Sequence, residues 1–266
     1  MISKLSNQKK GILFSLASLQ SYQEPDKFLK AVLGEYSLEP INPYLTNKTH
    51  SPTHIDVLGA QAYVVSDADD IIIMCRGTEA INLNDTLADL KIVSVCHRFG
   101  GNVHSGFYTE YSKVIHGIKK AIKLHNPEGS KNIWVTGHSL GGAIALLVSM
   151  DIKPNGCYTF GQPRVGNKTL MKQITFPYFR YKNNNDIVPN IPFVILGYIH
   201  SGVLRYIDIN GNMIESTTSQ RLIDLMRGFW EAAKNGEWFD GLYDHKMLSY
   251  HRYLIKMDDT GQQVNQ

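Results

Sequence analysis

Ser139, Asp186 and His245 occur in this chain in the order serine, acid, histidine. Together these three residue types can carry out nucleophilic acyl transfer. A serine hydroxyl is a poor nucleophile until a base takes its proton, and a carboxylate must orient that base. Ser139 lies in "IWVTGHSLGGAIALLVSM", Ile133 to Met150, where it and His138 form a polar pair inside an apolar segment bracketed by glycines. A buried serine exchanges hydration for at most an ordinary hydrogen bond, so burial alone does not account for it. Gly137, Ser139 and Gly141 form G-x-S-x-G. At a strand-to-helix junction the serine of such a motif sits on a sharp, strained turn, and the glycines let strand and helix approach without Cβ clashes. A helix opening at Leu140 would aim that residue's backbone N–H at a developing oxyanion, aided by the positive end of the helix dipole. A simple capping role, with Ser139 satisfying backbone amides of the helix, fits the local sequence as well.

The acid candidate is Asp186 in "KNNNDIVPNIP", in a polar loop that follows the strand "YFRYK" at the carboxyl edge of a sheet. A turn-forming aspartate ahead of a proline-bearing loop is the alternative. The base candidate is His245 in "YDHKMLSYHRYL", with His251 as its rival. His245 starts a C-terminal helix at a loop end from which it can reach the site, whereas His251 lies within that helix. Reach is the first test of a base, so His245 is preferred.

These residues need a scaffold, and the chain reads as an alternation of strands and helices. "AQAYVVSDADDIIIMCRGT" predicts two strands joined by an acidic turn at Asp67, Asp69 and Asp70, with β-branched residues on both sides. From Phe107 through Tyr111, Val114, Ile115, Ile118 and Ile122 the apolar spacing of three and four predicts a long amphipathic helix. "NIWVTG", "GCYTFG" and "YFRYKNN" read as strands, with a helix in "NKTLMKQI" between the last two. A late helix is expected over Gln220 to Lys234. The pattern is that of a mostly parallel central sheet covered by helices on both faces. It has no repeats and no low-complexity linker, and residues 1–266 are read as one domain.

The composition, 43% hydrophobic and 19% charged over 266 residues, is that of an ordinary globular chain with a large core. A formal net charge of +3, with no window rich in Lys and Arg beside aromatics, argues against nucleic-acid binding. Three cysteines, Cys75, Cys96 and Cys157, make no disulfide framework and no CxxC pair, which points to reduced thiols and a cytoplasmic location. The N-terminal "MISKLSNQKKGILFSLASLQ" superficially resembles a signal peptide. Its apolar run is interrupted by Ser15 and Ser18 and keeps helical spacing through Ile12, Leu16 and Leu19, so a core helix is expected. Sequons at Asn47, Asn84 and Asn167 are short enough to recur by chance, and no run approaches the length of a membrane span.

Four strings taken together resemble the class 3, or fungal-type, lipases of the α/β-hydrolase superfamily. They are "VTGHSLGGAIA", "TFGQPRVGN" at Thr159 to Asn167, "NNNDIVPNIP", and "RGT" at Arg76 to Thr78. The match runs from about Tyr63 to Leu254, and "GQPRVGN" is its most specific piece. The resemblance implies an α/β-hydrolase fold, the aspartate before "IVP" as triad acid, and the histidine of a "DHxMxxY" pattern, here Asp244 to Tyr250, as base. It also implies a second oxyanion donor at Thr78 beside Leu140. It places a lid over "EAINLNDTLADL", where Ile81, Leu83 and Leu87 could face lipid. The family usually carries a tryptophan where Thr86 stands, which speaks against a large interfacially activated lid.

The expected function is therefore hydrolysis of lipid esters through an acyl-enzyme, with a lipid or ester substrate, a transient lipid interface and no cofactor. A phospholipase, a lysophospholipase, a small-ester esterase and a catalytically silent lipid-binding domain share much of this pattern. Phe229, Trp238, Phe239 and Leu242 could wall an acyl site or simply be core. His104, His138 and His200 read as packing histidines whose polar atoms are satisfied. His50, His54 and Asp56 have metal-like spacing, but Pro52 prevents a regular helix there, so no metal is expected.

Overall fold

The computed structural model describes residues 2–23, 52–77, 93–184, 186–214 and 245–259. Helix α1 spans Asn7–Gln20 and opens on Ser6, whose Oγ accepts from Lys9 N at 3.2 Å. Strands β1 (Thr53–Val57), β2 (Ala60–Ser66) and β3 (Asp70–Cys75) follow as an antiparallel meander. The acidic turn between β2 and β3 is held by Asp67 Oδ1, which accepts from the backbone N–H groups of Asp69 and Asp70. A small hairpin of β4 (Ser94–Cys96) and β5 (Asn102–His104) leads into α2 (Ser105–His125), the long amphipathic helix expected from spacing.

Next come β6 (Asn132–His138), α3 (Leu140–Ile152), β7 (Gly156–Phe160), the short α4 (Lys168–Met171) and β8 (Tyr178–Asn183). The described chain then continues through β9 (Val203–Ile207), β10 (Met213–Ile214) and α5 (Met247–Asp259).

Eight strands form one sheet in the order β1-β2-β3-β6-β7-β8-β9-β10. The run β3-β6-β7-β8-β9 is parallel, and the antiparallel pairs lie at the two edges. Side chains alternate across it with period two. Val64, Ile71, Ile73, Cys75, Val135 and Cys157 face α2 and α3, and Tyr63, Ile72, Met74, Trp134, Tyr158 and Phe160 face α1 and α5. Helix α3 is apolar nearly all round and buried from Gly141 to Met150, as a helix at the centre of one face must be. The sheet is thus mostly parallel and covered on both faces, as expected.

Two features were not anticipated or were misjudged. The helix expected over "NKTLMKQI" closes after one turn, because Asn167 caps Leu170 N at 3.0 Å and Pro177 soon redirects the chain into β8. Strands β1, β9 and β10, at or next to the sheet edges, escape a reading by pattern because they are short and burial does not alternate cleanly along them. The late helix expected over Gln220 to Lys234 lies outside the described residues.

Candidate active site

Strand β6 is flanked in parallel by β3 and β7, with Gly137 opposite Cys75 on one side and Thr159 on the other. Its carboxyl end delivers Ser139 at the centre of the sheet edge. Ser139 has φ 56° and ψ −128°, a conformation that costs roughly 1–3 kcal/mol for a residue with a Cβ. The surroundings enforce it. Ser139 N–H donates to Phe160 O at 3.0 Å, and its carbonyl accepts from Gly142 N at 2.9 Å and Ala143 N at 3.3 Å. A Cβ on Gly137 would run into the Gly141 carbonyl, and one on Gly141 into the Cys75 carbonyl. The glycines therefore let helix α3 sit directly against β6 and β3.

The side chain of Ser139 makes no capping hydrogen bond, so the capping alternative does not describe it. Leu140 opens α3, where a backbone N–H has no intrahelical acceptor.

Asp186 follows β8 and is fully buried. Three groups donate to its carboxylate. His245 Nδ1 lies 2.9 Å from Oδ1 and 2.8 Å from Oδ2, Tyr250 OH lies 2.5 Å from Oδ2, and Val188 N lies 2.9 Å from Oδ1. A carboxylate can only accept, so Nδ1 of a neutral His245 carries the proton and Nε2 presents its lone pair. That Nε2 is buried and has no hydrogen-bond partner among the described residues. A base poised to take a proton has this arrangement. The rival, His251, points elsewhere: its Nδ1 lies 2.8 Å from Ser15 Oγ, at the seam between α5 and α1.

His138 ties the serine turn to the histidine. Its ring lies 4.5 Å from that of His245, and its Nε2 donates to the His245 carbonyl at 2.6 Å. The other nitrogen, Nδ1, must then be the acceptor from Tyr22 OH at 2.8 Å. Burial first, and then the like charge of His245, hold the His138 imidazole well below its ordinary pKa, so it is neutral. Gly161, with φ +56°, lies against the pair: a Cβ there would come within 2.7 Å of Asp186 Oδ2 and 2.8 Å of the His245 ring.

Tyr250, Tyr22, His138 and Gly161 were not assigned to the site from the sequence. Tyr250 and Gly161 do lie inside the quoted strings "DHxMxxY" and "GQPRVGN". Nothing in the sequence links Tyr22 to His138. His104 is buried at the start of α2 as expected of a packing histidine, but neither ring nitrogen has a hydrogen-bond partner among the described residues.

Several expectations fall on residues outside the described ones: Thr78 as oxyanion donor, the lid with Ile81, Leu83, Thr86 and Leu87, and Phe229, Trp238, Phe239 and Leu242. His50 and the sequons at Asn47 and Asn84 are also outside. His54 stacks on Tyr63, Asp56 bonds Gly59 N and Gln61, and no group of three or more His, Cys, Asp or Glu among the described residues could hold a metal. No helix among them is long and apolar enough to cross a membrane.

Residues 72–196, which carry the serine turn and the buried acid, match the family described as lipase (class 3). This segment belongs to the class 3 lipase family. The chain is also similar to a secreted mono- and diacylglycerol lipase of Fusarium solani, 32% identical over an alignment of 164 residues that covers 56% of this chain and 48% of that protein. The solved triacylglyceride lipase of Rhizomucor miehei is 26% identical with a TM-score of 0.63, over 79% of this chain and 84% of its own. A solved triacylglycerol lipase whose catalytic centre is described as a serine protease triad is 25% identical with a TM-score of 0.64, over 82% and 91%. The fold is thus that of the α/β-hydrolase lipases. The chain spans about half the length of the curated relatives it matches.

The class 3 relatives also correct the cytoplasmic location, because the Fusarium lipase is secreted. The cysteine count misled for a physical reason. Cys75 and Cys157 are buried, and burial pushes the Cys75 thiol far up and that of Cys157 up to about 12. Thiols that are buried and hard to ionise resist oxidation wherever the protein resides, so Cys75 and Cys157 do not report the compartment; Cys96 is exposed.

Proposed function

We propose that this chain is an extracellular serine hydrolase of lipid esters, with residues 1–266 acting as one domain, Ser139 as nucleophile, His245 as general base and Asp186 as its orienting acid. The reading rests chiefly on one observation: a buried histidine held by a buried carboxylate, with Nε2 unpartnered among the described residues, packs on His138, the neighbour of a strained serine in a class 3 lipase segment.

In this mechanism Ser139 Oγ attacks the acyl carbonyl as its proton passes to His245 Nε2. The tetrahedral oxyanion is met by the Leu140 N–H and by Thr78, each donor worth roughly a hundred- to a thousandfold in rate. Collapse expels the alcohol, which takes the proton from His245. Water, deprotonated by the same nitrogen, then releases the acid from Ser139. The His245 imidazolium that forms twice per cycle is stabilised by the Asp186 carboxylate that accepts its Nδ1–H. The substrate assignment draws on relatives that act on mono-, di- and triacylglycerols.

Comparison of kcat/KM for acetate, butyrate, octanoate and palmitate esters tests it. Values should rise with chain length, since each methylene buried on binding contributes roughly 0.8 kcal/mol. An acetate optimum with a steep fall at octanoate would overturn the lipid assignment in favour of a small-ester hydrolase.

A further inference from the structure

A buried polar atom without a partner costs free energy, so a fold that keeps one calls for a reason. Outside the triad, His104 and Tyr198 keep three between them: Nδ1 and Nε2 of the imidazole and the phenolic OH have no hydrogen-bond partner among the described residues. Both side chains are buried, at 1% and 4% exposure, and their ring centroids lie 6.0 Å apart.

The backbone brings the two together. Gly166 bridges Val103 on one side and Ile199 on the other, which sets His104 beside Tyr198. It also ties them to the site: His104 N donates to Val165 O at 3.0 Å, on the segment that begins at Gly161 against Asp186 and His245. Because β3 and β6 are parallel, the chain between them must return from the carboxyl edge of the sheet to its amino edge, and α2 is the last element of that return. His104, which precedes the first residue of α2, therefore lies on the edge that carries Ser139.

The pair is neutral at pH 7, since burial lowers the His104 pKa and raises that of Tyr198. A neutral imidazole offers one donor and one acceptor, and a phenol offers both. The His104 ring packs on Phe107 with centroids 4.3 Å apart, and Gly106 puts no side chain against its other edge, where a Cβ would stand 3.2 Å from Cε1 and 3.3 Å from Nδ1. A charged group would lose its hydration in such surroundings. A hydroxyl can donate to one member of the pair and accept from the other.

We propose that His104 and Tyr198 form a receptor for a neutral hydroxyl group carried by the ester substrate. The hydroxyl belongs either to the departing alcohol or to the acyl chain, two sources with the same chemistry. The proposal rests on the lipid-ester reading above, and a binding measurement separates the two.

The experiment compares kcat/KM within matched pairs. For the alcohol, 2-hydroxyethyl butyrate is set against 2-methoxyethyl butyrate; for the acyl chain, ethyl 6-hydroxyhexanoate against ethyl 6-methoxyhexanoate. One of the two pairs should favour the hydroxyl by about tenfold, the worth of one net hydrogen bond, and so name its source. His104→Leu and Tyr198→Phe should each bring that ratio close to one, and a ratio is insensitive to the fraction of enzyme that folds. Binding without chemistry is read by calorimetry on the full chain with Ser139→Ala, titrated with hexan-1-ol and 1-methoxyhexane, which contain no ester. Hexan-1-ol should bind more tightly, and adding His104→Leu should remove the difference.

Ratios near one in both wild-type pairs overturn the proposal, and so does a preference that survives both substitutions; the two side chains then serve packing alone. A wild type that hydrolyses no ester, while Ser139→Ala prefers hexan-1-ol and loses that preference with His104→Leu, would sustain the receptor and defeat the enzymatic reading.

Discussion

At the scale of residues, the site depends on a chain of donors and acceptors in which each member has one available role. Ser139→Ala should abolish ester turnover and leave thermal unfolding nearly unchanged, because the Ser139 side chain caps nothing; a fluorophosphonate probe should label Ser139 and no other residue. Retained turnover in a folded variant would reassign the nucleophile. His245→Ala should lower kcat by several orders of magnitude, whereas His251→Ala should lower stability by about 1 kcal/mol through the lost hydrogen bond to Ser15, whose hydroxyl still donates to Ile12 O, and leave kcat close to wild type. Tyr250→Phe probes a positioning residue. It removes the donor to Asp186 and the acceptor of Asn183 N–H while keeping the ring that packs on Phe160 and His138. A loss of roughly tenfold in kcat, with a shifted pH profile and little change in KM, is the expected result, since one charge-assisted hydrogen bond is removed.

At the scale of elements, close approach is the recurring device. The β6–α3 junction places backbone against backbone at Gly137 and Gly141, and the β7–α4 connection lays Gly161 against the acid–base pair. Gly161→Ala adds a Cβ that must displace either Asp186 Oδ2 or the His245 ring, both buried and hydrogen-bonded, at a positive φ that alanine also resists. Its kcat should fall by at least about a hundredfold, as expected of a misplacement near 1 Å at the reacting groups. Wild-type kcat in Gly161→Ala, measured beside its melting temperature, would show that the pair can move without cost.

At the scale of the whole molecule, histidines held neutral by burial couple folding to pH. Burial is the main reason that His138, His200 and His104 have lowered pKa values; at His200 the nearby Arg180 and Arg164 add to it. As pH falls through the ordinary histidine value near 6.5, the unfolded chain takes up protons that the folded chain does not. Stability is therefore full above that value and lost below it, by up to about 1.4 kcal/mol per pH unit for each such group. Urea midpoints measured at pH 7.5 and 5 should fall accordingly, and His138→Gln should flatten the dependence. A midpoint that rises on acidification would contradict this balance.

The sequence by itself determined what depends on neighbours along the chain. The β2–β3 hairpin follows from β-branched runs around three aspartates, α2 from its spacing of three and four, and the strained Ser139 turn from two glycines beside a strand and an apolar helix. Dihedral preference and burial periodicity act over a few residues, so they are legible there. Tertiary structure decided the rest. It set His245, just ahead of α5, against Asp186, 59 residues away, and His251, within α5, against Ser15, 236 residues away. It also joined Tyr22 to His138 across 116 residues and left Phe193–Leu196 outside the core. Those outcomes depend on which faces of distant elements bury one another, a choice made by the summed packing of two cores on one sheet and not encoded in the spacing of any one segment.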